Sequence, residues 1–222
     1  MRHVFLETNW LVAVAAPALD RTPAAIDLLH SAAKEEIRIY IPACCIAEAR
    51  KTIRQKFQPN EANRMRRFLR WAVEMRVLDD LIAESSREML RKFEGSVTAD
   101  LRRVTEVLRE ITTASGVEVI PLDGTVLDMS VDLHFEEIEP SEFDRAVLAA
   151  VLIKGRELRE KGQNDVNFAE LDSKLWPWEK KTVRNRPELK RLYDEAGVWV
   201  YSDFTLTSPA RPPDFPQATP GL

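Results

Sequence analysis

Histidine, cysteine and glycine are scarce in this chain of 222 residues, numbering three, two and seven. The two cysteines, Cys44 and Cys45, are adjacent, so they offer neither a disulfide framework nor the paired spacings that hold zinc. They read as small buried hydrophobes. His3, His30 and His134 fall outside any motif, which leaves a histidine-based metal site or general base without support. With so little glycine there is no GxGxxG and no GxxxxGK[ST], and this argues against a dinucleotide or P-loop site. Long apolar runs are also missing: none approaches the ~20 residues that span a bilayer. The first residues lack a signal-peptide pattern, so a soluble cytoplasmic protein with no membrane partner is expected.

What remains for chemistry is carboxylate. The run VFLETNWLVA, Val4 to Ala13, places Glu7, Thr8 and Asn9 inside an otherwise apolar stretch. Each polar group buried there loses water and must find a partner or a ligand. Charge is also segregated along the chain. Between Arg50 and Arg76 there are nine cations against two acids, and between Asp123 and Asp144 eight acids with no Lys or Arg. Two faces of opposite sign follow, one suited to phosphates and one to cations, with a pair of solvated surfaces as the plainer account.

Strand-like and helical stretches alternate. Val4 to Leu6 is apolar on both faces, as in a central parallel strand, and Thr22 with Pro23 opens a helix. Ile37 to Pro42 is β-rich, and Pro42 can start the next helix. Asn60 to Ile111 is charged and helical in period, with Phe68, Leu69, Ala72 and Val73 forming one apolar stripe. Gly116 is placed to stop that region, Val117 to Leu122 reads as a third strand, and Ser141 or Glu142 caps a further helix. Val166 to Leu171 and Val198 to Phe204 complete the strands. This predicts an α/β fold with a mostly parallel sheet covered on both faces. Residues 1–207 form the domain, with a helical insertion at about 58–115, and the Pro-rich tail 208–222 is expected to be disordered.

Ligands of such sheets gather beyond the carboxyl ends of the strands. Glu7 and Asp172 fall at strand ends, Glu48 and Asp144 near helix starts, so all four can meet at one edge. Converging carboxylates repel unless a cation neutralises them, and Mg²⁺ or Mn²⁺, which favour oxygen ligands, would do so. Singly, each acid has a plainer role: Glu48 pairing with Lys51 or Thr52, Asp144 at a helix N-terminus, Asp172 in a turn.

In order and context, VFLETN, IAEAR, SEFDRAVLAAVL and VNFAELDSKLW resemble the PIN-domain nucleases. The likeness implies a compact three-layer α/β/α sandwich. It also implies metal-dependent cleavage of RNA, with Glu7, Glu48, Asp144 and Asp172 as the catalytic and metal-binding quartet. Thr8 or Asn9 would shape the first loop. Asn9, Arg50, Lys51 and Arg54 are the expected substrate contacts, the cations sharing the helix of Glu48 and attracting a phosphate backbone. The family usually carries Asp where this chain has Glu7. The added methylene shifts the carboxylate outward by about 1.5 Å, which either spoils the site or is absorbed by rotamer choice or a water bridge. The same resemblance implies self-association and an antitoxin-like protein partner, although this chain is longer than the compact toxin type. The rival expectation is a PIN-like module, catalytically impaired at Glu7, that binds RNA or a protein partner. Arg66, Arg67 and Arg70 are open to pairing with acids between Asp79 and Asp100, and Trp176 and Trp178 to locking a loop or stacking on bases.

Overall fold

The computed structural model describes residues 1–57, 60–133, 140–181, 184–213 and 215. Five parallel strands form one sheet: β1 (Arg2–Leu6), β2 (Ile37–Pro42), β3 (Val117–Ile120), β4 (Val166–Ala169) and β5 (Val198–Tyr201), in the order β3-β2-β1-β4-β5. Eight α-helices are seen among the described residues: α1 (Thr8–Ala15), α2 (Pro23–Ala33), α3 (Ala43–Lys56), α4 (Asn60–Glu74), α5 (Asp80–Thr112), α6 (Gly124–Asp132), α7 (Glu142–Glu160) and α8 (Pro187–Ala196). Val4, Phe5 and Leu6 of β1 and Phe168 of β4 are fully buried because helices cover both faces of the sheet. The result is the three-layer α/β/α sandwich.

The chain winds from β1 outward to β3, then returns past β1 to lay down β4 and β5. Right-handed crossovers therefore put α1, α2, α3 and the end of α5 on one face and α6, α7 and α8 on the other. The winding reverses between β1 and β4, which opens a crevice at their carboxyl ends. Two close approaches of the chain depend on glycine. Gly116, at φ +75°, ends the α5 connection where an added Cβ would sit 2.3 Å from the Ala32 carbonyl oxygen. Gly155 of α7 lets the helix meet Val198, whose Cγ2 would be 2.6 Å from a Cβ there.

The expected insertion is an antiparallel pair of helices, α4 and the first half of α5, while Val104, Leu108 and Ile111 near the end of α5 join the main core. Its own seam is small: Ala62, Leu69, Ala72, Ala83 and Val97 are buried outside that core. Phe68, grouped by period with Leu69 and Ala72, is instead half-exposed. Arg66 pairs with Glu94 across the hairpin.

Several boundaries differ from expectation: β1 begins at Arg2 rather than Val4, and β3 ends at Ile120 rather than Leu122. β4 ends at Ala169 rather than Leu171, and β5 at Tyr201 rather than Phe204, because the chain turns away at Glu170 and at Ser202. The tail expected to be disordered from residue 208 is packed in its first part. Ser208 accepts from the Ser202 amide, Pro209 from the Trp199 indole, Arg211 pairs with Asp165 at 3.0 Å, and Phe215 is buried. Asp203 organises the turn that begins this segment by accepting from the Thr207 and Ser208 amides. Residues 214 and 216–222 of the same expectation lie outside the described residues.

Candidate functional site

Strand register builds the site. Leu6 of β1 and Ala169 of β4 are Cα partners, so the next residues, Glu7 and Glu170, leave the sheet side by side at the crevice. Glu7 becomes the N-cap of α1, and its Oε1 accepts from the Asn9 amide at 3.1 Å. It is 6% exposed, and Glu170 only 3%. Burial drives the Glu7 carboxyl up to about 7, and the negative charges of Asp172 and Glu48 add to that rise against the opposing Asn9 amide. Burial likewise pushes Glu170 well above the ordinary carboxyl range, aided by its hydrogen bond to Asp172 and by the charges of Glu7, Asp172 and Asp144.

Asp172 lies two residues farther along. Burial works to raise its carboxyl, yet the hydrogen bond with Glu170, the Lys174 amide and the Lys174 ammonium together hold it below the usual value. Glu170 and Asp172 are thus a hydrogen-bonded carboxyl pair whose proton affinities are pushed apart, Glu170 upward and Asp172 downward. Asp144 enters from the first turn of α7. Its Oδ2 accepts from the Ser141 amide at 3.3 Å, while the Ser141 hydroxyl oxygen accepts from the Asp144 amide at 3.1 Å, a reciprocal capping box to which the Ser141 hydroxyl adds a bond to Oδ2 at 2.7 Å. Glu48, on α3, accepts from the Thr8 hydroxyl at 2.6 Å rather than pairing along its own helix. Among the described residues, one cation reaches the cluster: the Lys174 Nζ lies 3.3 Å from Asp172 and 3.6 Å from Asp144.

All four acids expected from sequence therefore stand around the crevice, linked by contacts or by mutual charge. Glu170 was missed. Its signal was the one that singled out Glu7, a carboxylate in an apolar run, hidden by reading β4 two residues too long. Lys174 was missed as well, because its place depends on the path of the loop after β4.

The expected substrate contacts divide. Asn9 lines a cavity of about 360 Å³ together with Asp172, Lys56, Phe57 and Phe204. Arg50, Lys51 and Arg54 are exposed on α3. At 100° per residue, Lys51 lies on the Glu48 side of that helix, whereas Arg50 and Arg54 point well away from it. Lys56 is the cation that borders the cavity. Trp176 is buried, and its indole donates to the Glu170 carbonyl, so it fastens the loop that carries Glu170, Asp172 and Lys174. Trp178 stacks on it and on Trp199.

The donor set is all oxygen and anionic, the chemistry that suits a hard divalent ion. Among the described residues, however, no three His, Cys, Asp or Glu side chains are arranged to ligate one ion. Compared with known proteins, the chain matches no family model, no curated protein and no solved structure.

Proposed function

We propose that this chain is a metal-dependent endoribonuclease of the PIN-like kind, hydrolysing phosphodiester bonds at the crevice between β1 and β4. The observation that carries the reading is the pairing of two buried carboxyls, Glu7 and Glu170, at the point where the winding reverses, with Asp144 and Asp172 near enough to shift them. Buried acids that repel one another are a standing cost unless a cation joins them. Glu7, Asp144, Glu170 and Asp172, no three of which are arranged to ligate one ion as they stand, would have to re-aim to hold Mg²⁺ or Mn²⁺, which would then supply a water of lowered pKa and offset charge on the phosphate.

The chain's own groups do the positioning. Thr8 fixes the Glu48 carboxylate, the Asn9 amide orients Glu7, and Ser141 holds Asp144 at the head of α7. Lys51 and Lys56 draw the phosphate backbone of RNA toward the cavity. Lys174 neutralises Asp144 and Asp172 when no ion is present, and it must move aside for one.

That same lysine favours a second reading, in which the site is already satisfied and the chain is a PIN-like module that binds RNA or a protein partner without cleaving. Manganese-dependent cleavage of single-stranded RNA separates the two. Wild type should cleave, and Glu7→Gln and Asp144→Asn should each lose about a hundredfold in rate. No metal-dependent cleavage by wild type across a broad set of RNAs selects the second reading. Equal cleavage by all three proteins means that the site has been placed wrongly.

A further inference from the structure

A cavity of about 350 Å³ lies between α8, β5 and the connection that leads to them from β4. It is apart from the carboxylate crevice, since none of the acids gathered there lines it. Packed interiors leave few voids larger than a water molecule, and a hollow of this size falls in the range of ligand pockets. Its wall is aromatic. Trp178 and Trp199 stack with ring centroids 6.4 Å apart, Phe215 meets Trp199 edge-on at 5.0 Å, and Tyr193 of α8 completes the lining. Both tryptophans are only half-buried, which leaves part of each indole open.

Some of the polar groups in that lining are already spent. The Tyr193 hydroxyl donates to the Leu175 carbonyl, the Trp199 indole to the Pro209 carbonyl, and Lys190 and Asp194 neutralise each other at 2.5 Å. The Glu179 carboxylate and the Asn185 side-chain amide remain, and neither has a partner among the described residues. Cations edge them. Lys180, Lys181 and Arg184 are exposed and adjoin Glu179 or Asn185 along the chain, within a stretch from Glu179 to Arg191 that holds six cations and two acids.

We infer that this cavity binds the guanine of a guanosine nucleotide, its ring against Trp178 and Trp199, its Watson–Crick edge on Glu179 and its phosphate on the lysines and arginine of the rim. Open indole faces accept a flat ring, and a cationic rim accepts a phosphate. The carboxylate chooses the base. An ionised Glu179 only accepts hydrogen bonds, and guanine alone among the four RNA bases sets two neighbouring donors, N1–H and the N2 amino group, against its two oxygens. Adenine, cytosine and uracil each turn an acceptor toward it beside a single donor. Guanine O6 then accepts from the Asn185 amide. An organic cation would suit the indoles and the acid, but the rim repels it. A free nucleotide and a guanosine within single-stranded RNA offer the same chemistry, and the site does not depend on the nuclease reading.

Calorimetric titration of the full-length chain in EDTA, where metal-dependent cleavage is silent, tests it. Guanosine monophosphate, and a single-stranded RNA hexamer carrying one guanosine, should each bind at least about tenfold more tightly than their adenosine counterparts. Glu179→Gln should abolish that preference. Trp178→Ala should weaken guanine binding about tenfold with circular dichroism unchanged, and Lys181→Glu should weaken it while keeping the preference. Equal affinity for nucleotide and hexamer assigns the site to the free nucleotide; a tighter hexamer whose advantage is lost in Lys181→Glu assigns it to RNA. No binding of either, or affinity indifferent to the base, overturns the inference. So does a guanine preference that survives both Glu179→Gln and Trp178→Ala, or tetramethylammonium bound more tightly than guanosine monophosphate.

Discussion

Glu7 and Glu170 stand side by side because the residues before them, Leu6 and Ala169, are partners on neighbouring parallel strands. Two carboxyls so placed, both nearly out of water, cannot both ionise without cost. That relationship gives the site its pH behaviour, its attraction for cations and its weakest point.

Stability should fall as pH rises through the window set by Glu7. The group titrates near 4.5 in the unfolded chain and at about 7 when folded, so the folded state holds the extra proton in between. The penalty is absent below that window, grows through it and is complete above about 7, where it amounts to about 3 kcal/mol. Glu7→Gln should therefore gain stability over wild type at pH 8 and little at pH 4. Urea denaturation at the two pH values checks this; a gain that is equal at both refutes it.

Removing the resident cation should favour an added one. Lys174→Ala leaves Asp144 and Asp172 without their shared ammonium, so Mn²⁺ should bind about tenfold more tightly than to wild type. Calorimetric titration measures it. Unchanged or weaker binding would mean that Lys174 does not compete for the ion.

Trp176→Phe should cost about 1–2 kcal/mol, since the indole donor to the buried Glu170 carbonyl is lost while the ring packing is mostly kept. The loop after β4 should then exchange its amide hydrogens faster than the sheet does. Protection that is unchanged in residues 170–176 would show that the loop is held by other contacts.

Gly155→Ala should destabilise by about 1–3 kcal/mol despite the better helix propensity of alanine. The new methyl meets Val198 Cγ2 at 2.6 Å and the Ala196 carbonyl at 3.2 Å, so α7 must shift away from the β5 edge. Thermal unfolding reads the change; a neutral or stabilised variant would contradict so close a fit.

Much of this was legible before any coordinates. The alternation of strands and helices is a local signal, and so are Pro23 in the first turn of α2 and the Ser141 cap; Thr22 stands at the N-cap of α2, although its side chain makes no capping bond. Glu7 announced itself because a carboxylate has no business in an apolar strand without a partner. Glu170 carried the same mark but was obscured by an overlong strand, and the strand end is set by where the chain turns, not by composition. The position of Lys174 depends on a loop path that no periodicity encodes. Arg50 and Arg54 looked like substrate contacts because they are near Glu48 in sequence, and the turn of α3 points them elsewhere. Phe68 shows the limit of stripe reading, since an apolar flank is the same in sequence whether it faces a core or nothing.

Proline content misled at the other end of the chain. β5 is the outer strand on its side of the sheet, and an uncovered border of that kind is an invitation to pair with any passing extended peptide. Residues 208–213 and Phe215 lie against Trp199 and Ser202 and anchor through Arg211 to Asp165. Trimming the polypeptide after Thr207 as though the remainder were dispensable would strip this hem from the sheet. Soluble protein should then give way to precipitate on storage, with the barrier to intermolecular strand addition removed.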